Sequence, residues 1–172
     1  MRLRDLLMGD VMGALVGSPE MDPLTEMDAL QEARLNEVIF DAVNRHAGLL
    51  FDLRGALQLR MAYTGLLVLG DVEGLRWSSE RGRRPTTRTA WNVVGSVPVN
   101  EDGLINLRLF LFPDAELTVT ARSAAFYAGD VPGLPDTPPD FDDSDEAVAA
   151  GMVSMDSPFE PTQATFIEPQ SL

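Results

Sequence analysis

Cysteine is absent from the 172 residues. Disulfides, thiolate nucleophiles and thiolate metal sites are therefore excluded together. Lysine is absent too, so all 13 basic residues are arginine, a bias that fits the codon usage of a GC-rich bacterial genome. Histidine occurs once, at His46. A single imidazole rules out HExxH centres, histidine-rich zinc sites and the zinc deaminase signature. No run of 18 continuous apolar residues occurs, and Asp5 and Asp10 interrupt the apolar start MRLRDLLMGDVMGALV, so neither a membrane span nor a secretory signal is expected.

Positive charge is scarce. The formal net charge is -14, and residues 130–172 hold ten acidic residues and no basic one. Such a chain repels phosphate backbones, so nucleic acid is not an expected partner. With 45% hydrophobic residues the composition is that of a globular chain. Seven of the 12 prolines follow Gly129, and the texture changes there. The expected organisation is a compact domain over 1–129 and an acidic, Pro-rich arm over 130–172, packed on the body or on a partner through Phe141, Phe159, Phe166 and Ile167.

Hydrophobic spacing predicts two N-terminal helices. Leu3, Leu7, Met8, Val11, Met12 and Leu15 fall on one helical stripe. Thr25 opens a second run, in which Met27, Leu30, Leu35, Val38, Ile39, Ala42, Val43 and His46 recur mostly at 3–4 spacing until Gly48. The period then drops to 2. LLFDLRGALQLRM (49–61) alternates, with Asp52, Arg54 and Arg60 on a wet face, and residues 63–69, 75–78, 87–94, 104–112 and 116–128 read as further strands. NEDG (100–103) and PDA (113–115) read as turns, and Asp143 or Ser144 as the cap of a short helix through Met152. The expected fold class is α+β, with one mainly antiparallel sheet of five or six strands packed on two N-terminal helices.

GDVEGL (70–75) recurs as GDVPGL (129–134). Sliding 50–75 onto 109–134 gives nine identities in 26, yet Leu57, Leu59 and Met61 would then map onto Glu116, Thr118 and Thr120. A one-residue slip moves a strand's core face into water, so the repeats read as similar turns rather than a duplicated unit. Neither hexapeptide has the spacing of a phosphate loop.

Catalytic signatures are missing. DFDDSDE (140–146) fails as a calcium loop, because its sixth position is Asp145 rather than Gly and its twelfth is Gly151 rather than Glu. The distinctive polar tract is LRWSSERGRRPTTRTAW, which holds Arg76, Arg81, Arg83, Arg84 and Arg88 together with Trp77 and Trp91. Arginine's planar fork suits carboxylates and stacks on aromatic rings. Trp77, Arg81, Arg83, Arg84 and Arg88 are thus the candidate interaction residues. The expected function is a non-enzymatic protein–protein interaction module (inhibitor, immunity-type, adaptor or assembly component), cytoplasmic and without cofactor, whose partner is another protein or a second copy of the chain. The alternative is a small anionic-ligand-binding domain, or a carboxylate-based hydrolase, around Asp52, Arg54 and Tyr63.

Overall fold

A computed structural model describes residues 1–9, 17–80, 82, 89–140 and 142–170. A short helix α1 (Leu3–Leu7) comes first, followed by β1 (Arg34–Asp41), β2 (His46–Asp52), β3 (Thr64–Gly70), β4 (Gly74–Ser79), β5 (Trp91–Glu101), β6 (Leu104–Phe112), β7 (Ala115–Ala121) and β8 (Ser123–Asp130). Helix α2 (Asp145–Gly151) and β9 (Glu160–Ile167) complete the order. All nine strands join one antiparallel sheet in the order β4-β7-β6-β5-β1-β2-β3-β8-β9. The class is α+β, but the expectation of five or six strands and two N-terminal helices is overturned. The described helices are at 3–7 and 145–151.

The missing helix at 25–47 has a local explanation. Asp28 and Glu32 take φ of 60° and 63°, which a right-handed helix cannot hold. Their backbone bonds go to β5 instead: Asp28 N–H donates to the Ser96 carbonyl and Glu32 N–H to that of Val93, each at 2.8 Å. Val38, Ile39 and Phe40 are the β-branched and aromatic residues that a pleated surface favours. Asp41 then breaks the run, because its carboxylate accepts from the N–H groups of Val43 and Asn44 at 2.9 and 3.1 Å. That side-chain turn competes with helix, and the chain reverses so that Asp41 pairs with His46. His46 consequently opens a strand rather than ending a helix.

The long strand expected over 49–61 stops at Asp52. Beyond it the chain loops back, Leu53 N–H bonding to the Tyr63 carbonyl at 2.8 Å, and β3 returns beside β2. The strand expected over 116–128 is two strands. In β7 the residues Ala115, Leu117, Val119 and Ala121 are buried, whereas in β8 the buried set is Ala124 and Phe126 to Gly129. The inward phase changes across Arg122.

That phase change is the corner of the fold. One residue separates β7 from β8, although they stand near opposite ends of the sheet. The sheet must therefore curl until its ends meet. Residues 71–73 make the same crossing from β3 to β4, and Arg122 N–H bonds to the Gly70 carbonyl at 3.1 Å while Glu73 N–H bonds to that of Thr120 at 2.8 Å. Inside the curl lie Phe51, Leu67, Leu69, Leu107, Leu109, Leu117 and Phe126. Burying each such side chain contributes about 1.5–3 kcal/mol.

A second, smaller core lies outside the curl. Leu50, Leu66 and Tyr127 point outward from β2, β3 and β8, where Leu3 and Leu6 of α1 and Val153, Met155 and Phe159 cover them. Ser144 caps α2 as expected, accepting from Ala147 N–H at 3.2 Å, and Asp102 and Gly103 at φ 53° and 74° make the tight turn read at 100–103. Among the described residues no helix is long and apolar enough to cross a membrane.

Candidate interaction face

The other half of the outer surface carries no such cover among the described residues. Its strands are β5, β6, β7 and β4. Cross-strand pairing puts Val97 beside Arg108, Val99 beside Asn106, and Asn92 beside Phe112, with Arg108 opposite Thr118 and Phe110 opposite Glu116 on β7. Arg76 and Ser78 continue these rows onto β4. An antiparallel sheet facing water normally alternates apolar-in and polar-out. β7 and β4 obey, with Thr118, Thr120, Glu116, Arg76 and Ser78 outward. β5 and β6 do not. Val94, at the bulge between Val93 and Gly95, is 44% exposed, Val99 40% and Phe112 47%.

Charge frames this apolar strip. The Arg108 guanidinium lies 4.9 Å from the centre of the Phe110 ring and its Nε donates to Glu116 Oε1 at 2.8 Å. The Arg108 hydrogen bond holds the Glu116 carboxyl below its ordinary value, and Glu116 raises Arg108 in return. An exposed pair adds little stability; its consequence is to hold the guanidinium across the ring. Beside it a recess of about 310 Å³ opens between Ser78, Phe110, Asp114 and Glu116.

Of the residues singled out in the sequence, Trp77 is placed at the rim of the curl, 41% exposed. It meets Trp91 edge-on, with ring centres 5.4 Å apart, although β4 and β5 have two strands between them. Arg81, Arg83, Arg84 and Arg88 lie outside the described residues. The strands that flank their tract are both described: Ser79 pairs with Ala115, and Asn92 with Phe112. Both ends of the tract are thus anchored at the Phe112 end of the face. β4 pairs in the sheet only with β7 and is the edge strand on this side.

Asp52, Arg54 and Tyr63 meet in a different way from the one expected. Arg54 is not on a wet face: its side chain is fully buried and that of Asp52 is 3% exposed. Arg54 Nε and Nη2 donate to the two Asp52 oxygens at 2.9 and 2.6 Å. The remaining donors go to the carbonyls of Pro135, Thr137 and Gly151. All five guanidinium N–H groups are occupied by the chain itself. Tyr63 donates to Asp136 at 3.1 Å. The cluster clasps the 130–151 segment to the sheet.

In the acidic tract, Asp140 N–H donates to the Asp143 carboxylate at 2.7 Å, and Phe141 lies outside the described residues. Among the described residues no group of three or more histidines, aspartates or glutamates is placed to hold a metal ion. The sequence reading missed Val94, Val99, Phe110 and Phe112. A signal for the last two is visible in LRLFLF (107–112), where aromatic residues occupy the phase that should be polar. Compared with known proteins, the chain matches no family model and no curated sequence.

Proposed function

We propose that this chain is a non-catalytic protein-interaction module that docks its partner on the outer face of β5 and β6. One observation carries the reading: valine and phenylalanine stand exposed on the half of the sheet that no described element covers, while the opposite half is covered by the chain's own α1 and 151–159 segment. Contiguous exposed apolar surface rimmed by charge is characteristic of contact sites. Among the described residues the outer edge of β4 has no strand partner and can take up an added strand, and Trp77 at the rim and arginine belong to the residue types that concentrate binding energy. The partner that fits is a protein segment apolar at its centre and anionic where it meets Arg76 and the tract of Arg81, Arg83, Arg84 and Arg88. A cytoplasmic setting suits a cysteine-free chain.

The test compares tagged wild type with V99E/F112E and with R81E/R83E/R84E, using M61E, on the far loop, as a control. A stoichiometric partner should be retained by wild type and M61E and lost by V99E/F112E. The triple arginine variant should weaken it at least tenfold. Loss of about 2 kcal/mol is the scale for a single hot-spot position. Sedimentation of the same variants tests a second copy as the occupant. Equal binding by all four proteins overturns the proposal.

A further inference from the structure

The only histidine stands between two cavities at the opposite side of the sheet. Pairing builds a row across four strands: Asp41 on β1 faces His46 on β2, and one step along lie Gly70 on β3 and its partner Ser123 on β8. Two glycines let neighbouring side chains pack close to this row. A Cβ at Gly48 would strike Leu7, and one at Gly70 would come within 2.5 Å of Ser123 Oγ and 3.9 Å of the His46 ring. The larger cavity, about 330 Å³, is walled by Leu7, Met8 and Ile39, with Asp5, Asp41 and His46 as polar groups. The smaller, about 180 Å³, opens on the other side of His46 toward Ser123, Tyr127 and Phe166. Among the described residues neither the imidazole nor the Ser123 hydroxyl has a hydrogen-bond partner.

The charge of the larger cavity is negative. Arg4 also reaches it, but its Nε is paired with Asp156 at 2.7 Å. Asp41 accepts only neutral donors, from Val43 and Asn44, and Asp5 accepts from Arg2 N–H at 2.7 Å. Each carboxylate offers about four acceptor positions, so both retain capacity toward the cavity. Apolar walls with a few convergent polar groups are the usual build of a small-molecule site. From the two carboxylates, the unpartnered imidazole and the Leu7–Met8–Ile39 wall we infer that this cavity binds a small organic cation, a protonated amine on a single ring or short alkyl body. The ammonium donates to Asp41 and Asp5, with the His46 ring beside them in the cavity wall.

His46 gives one resolved ring signal, which makes the test direct. The full chain, labelled with ¹³C-histidine, is titrated with benzylamine, benzyl alcohol and phenylacetate at pH 7.5. Benzylamine should move the His46 signal saturably, and the alcohol and the acid should leave it in place to tenfold higher concentration. D41N should weaken benzylamine at least tenfold. If D41N loosens the 41–45 turn, visible in its thermal melt, the three-probe comparison on wild type decides alone. A stationary signal with benzylamine, an equal response to phenylacetate, or a folded D41N that binds as wild type overturns the inference.

Discussion

Replacing Arg54 with methionine should loosen the whole molecule through one side chain. The guanidinium makes two bonds to Asp52 and three to the carbonyls of Pro135, Thr137 and Gly151, between 2.6 and 3.0 Å. Methionine reaches only as far as the arginine Nε and has no donor. The Asp52 carboxylate would remain buried with only the backbone N–H of residue 54, at 3.0 Å, still bonded to it. Removing one partner of a buried ion pair costs about 3–5 kcal/mol. The three carbonyls do not add their full hydrogen-bond energy, because the 135–151 segment can lift and turn them to water. An expected loss of about 3–5 kcal/mol is a large part of the roughly 5–15 kcal/mol that holds a domain folded. At this size it lowers Tm by roughly 6–20 °C. Urea unfolding followed by circular dichroism measures the loss, and amide hydrogen exchange measures protection over 135–151. D52L/R54M should regain most of the stability, since replacing both members of a buried pair by apolar groups is near neutral. A loss below about 1 kcal/mol, or undiminished protection over 135–151, would refute the clasp.

Two further outcomes are expected. The hydrogen bond to Asp136 raises the Tyr63 phenol above its ordinary 10.0, the Asp136 charge adding to it, while burial raises Tyr127; both tyrosines of the chain should therefore ionise late in a titration followed at 295 nm, and D136N should return one of them toward 10. Because the folded Tyr63 value lies above the unfolded one, its contribution is complete below about pH 10 and is lost as the pH climbs through the folded value; a D136N titration identical to wild type would exclude the contact. At Gly129 a Cβ would run into the Glu160 carbonyl oxygen and come 2.7 Å from Pro161 Cα, so G129A should cost at least about 1–3 kcal/mol by overpacking. G74A, with nothing within 4 Å, should stay within about 0.5 kcal/mol of wild type in the same urea melts.

Strands whose two faces meet different media were legible. β6 was read with its observed bounds because Leu107, Leu109 and Leu111 alternate with Arg108, and the 100–103 turn because Asp and Gly there tolerate positive φ. The 25–47 stretch was misread for an equally physical reason. Its 3–4 spacing arises from two successive arrangements, a turn-rich segment burying Leu24, Ala29, Leu30 and Ala33 and then a hairpin, and periodicity alone does not separate them from one helix. Asp52 and Arg54 were assigned to water because charge on one strand phase normally faces it. Only the fold shows that a segment more than 80 residues further along supplies the carbonyls. Phe110 and Phe112 do not stand out in a fold where helices are expected to cover the sheet.

The corner at Arg122 decides which half of the sheet the chain can cover itself. β8 leads directly into the 131–159 segment, so Val153, Met155 and Phe159 fall beside β8, β3 and β2, and α1 joins them through Leu3 N–H bonded to Ser157 and Arg4 N–H bonded to Met155. β5, β6 and β7 are joined by turns of two residues, at 102–103 and 113–114, too short to fold back over anything. The one longer connection on that half runs from β4 to β5 and carries Arg81, Arg83, Arg84 and Arg88. A chain able to bury Leu50 and Leu66 outside its sheet but lacking a described element for Val99 and Phe112 has its apolar strip where its connections are shortest and its arginines densest. Under the proposed interaction reading, this topology directs the search for a partner to the β5–β6 face rather than to the satisfied Arg54 cluster.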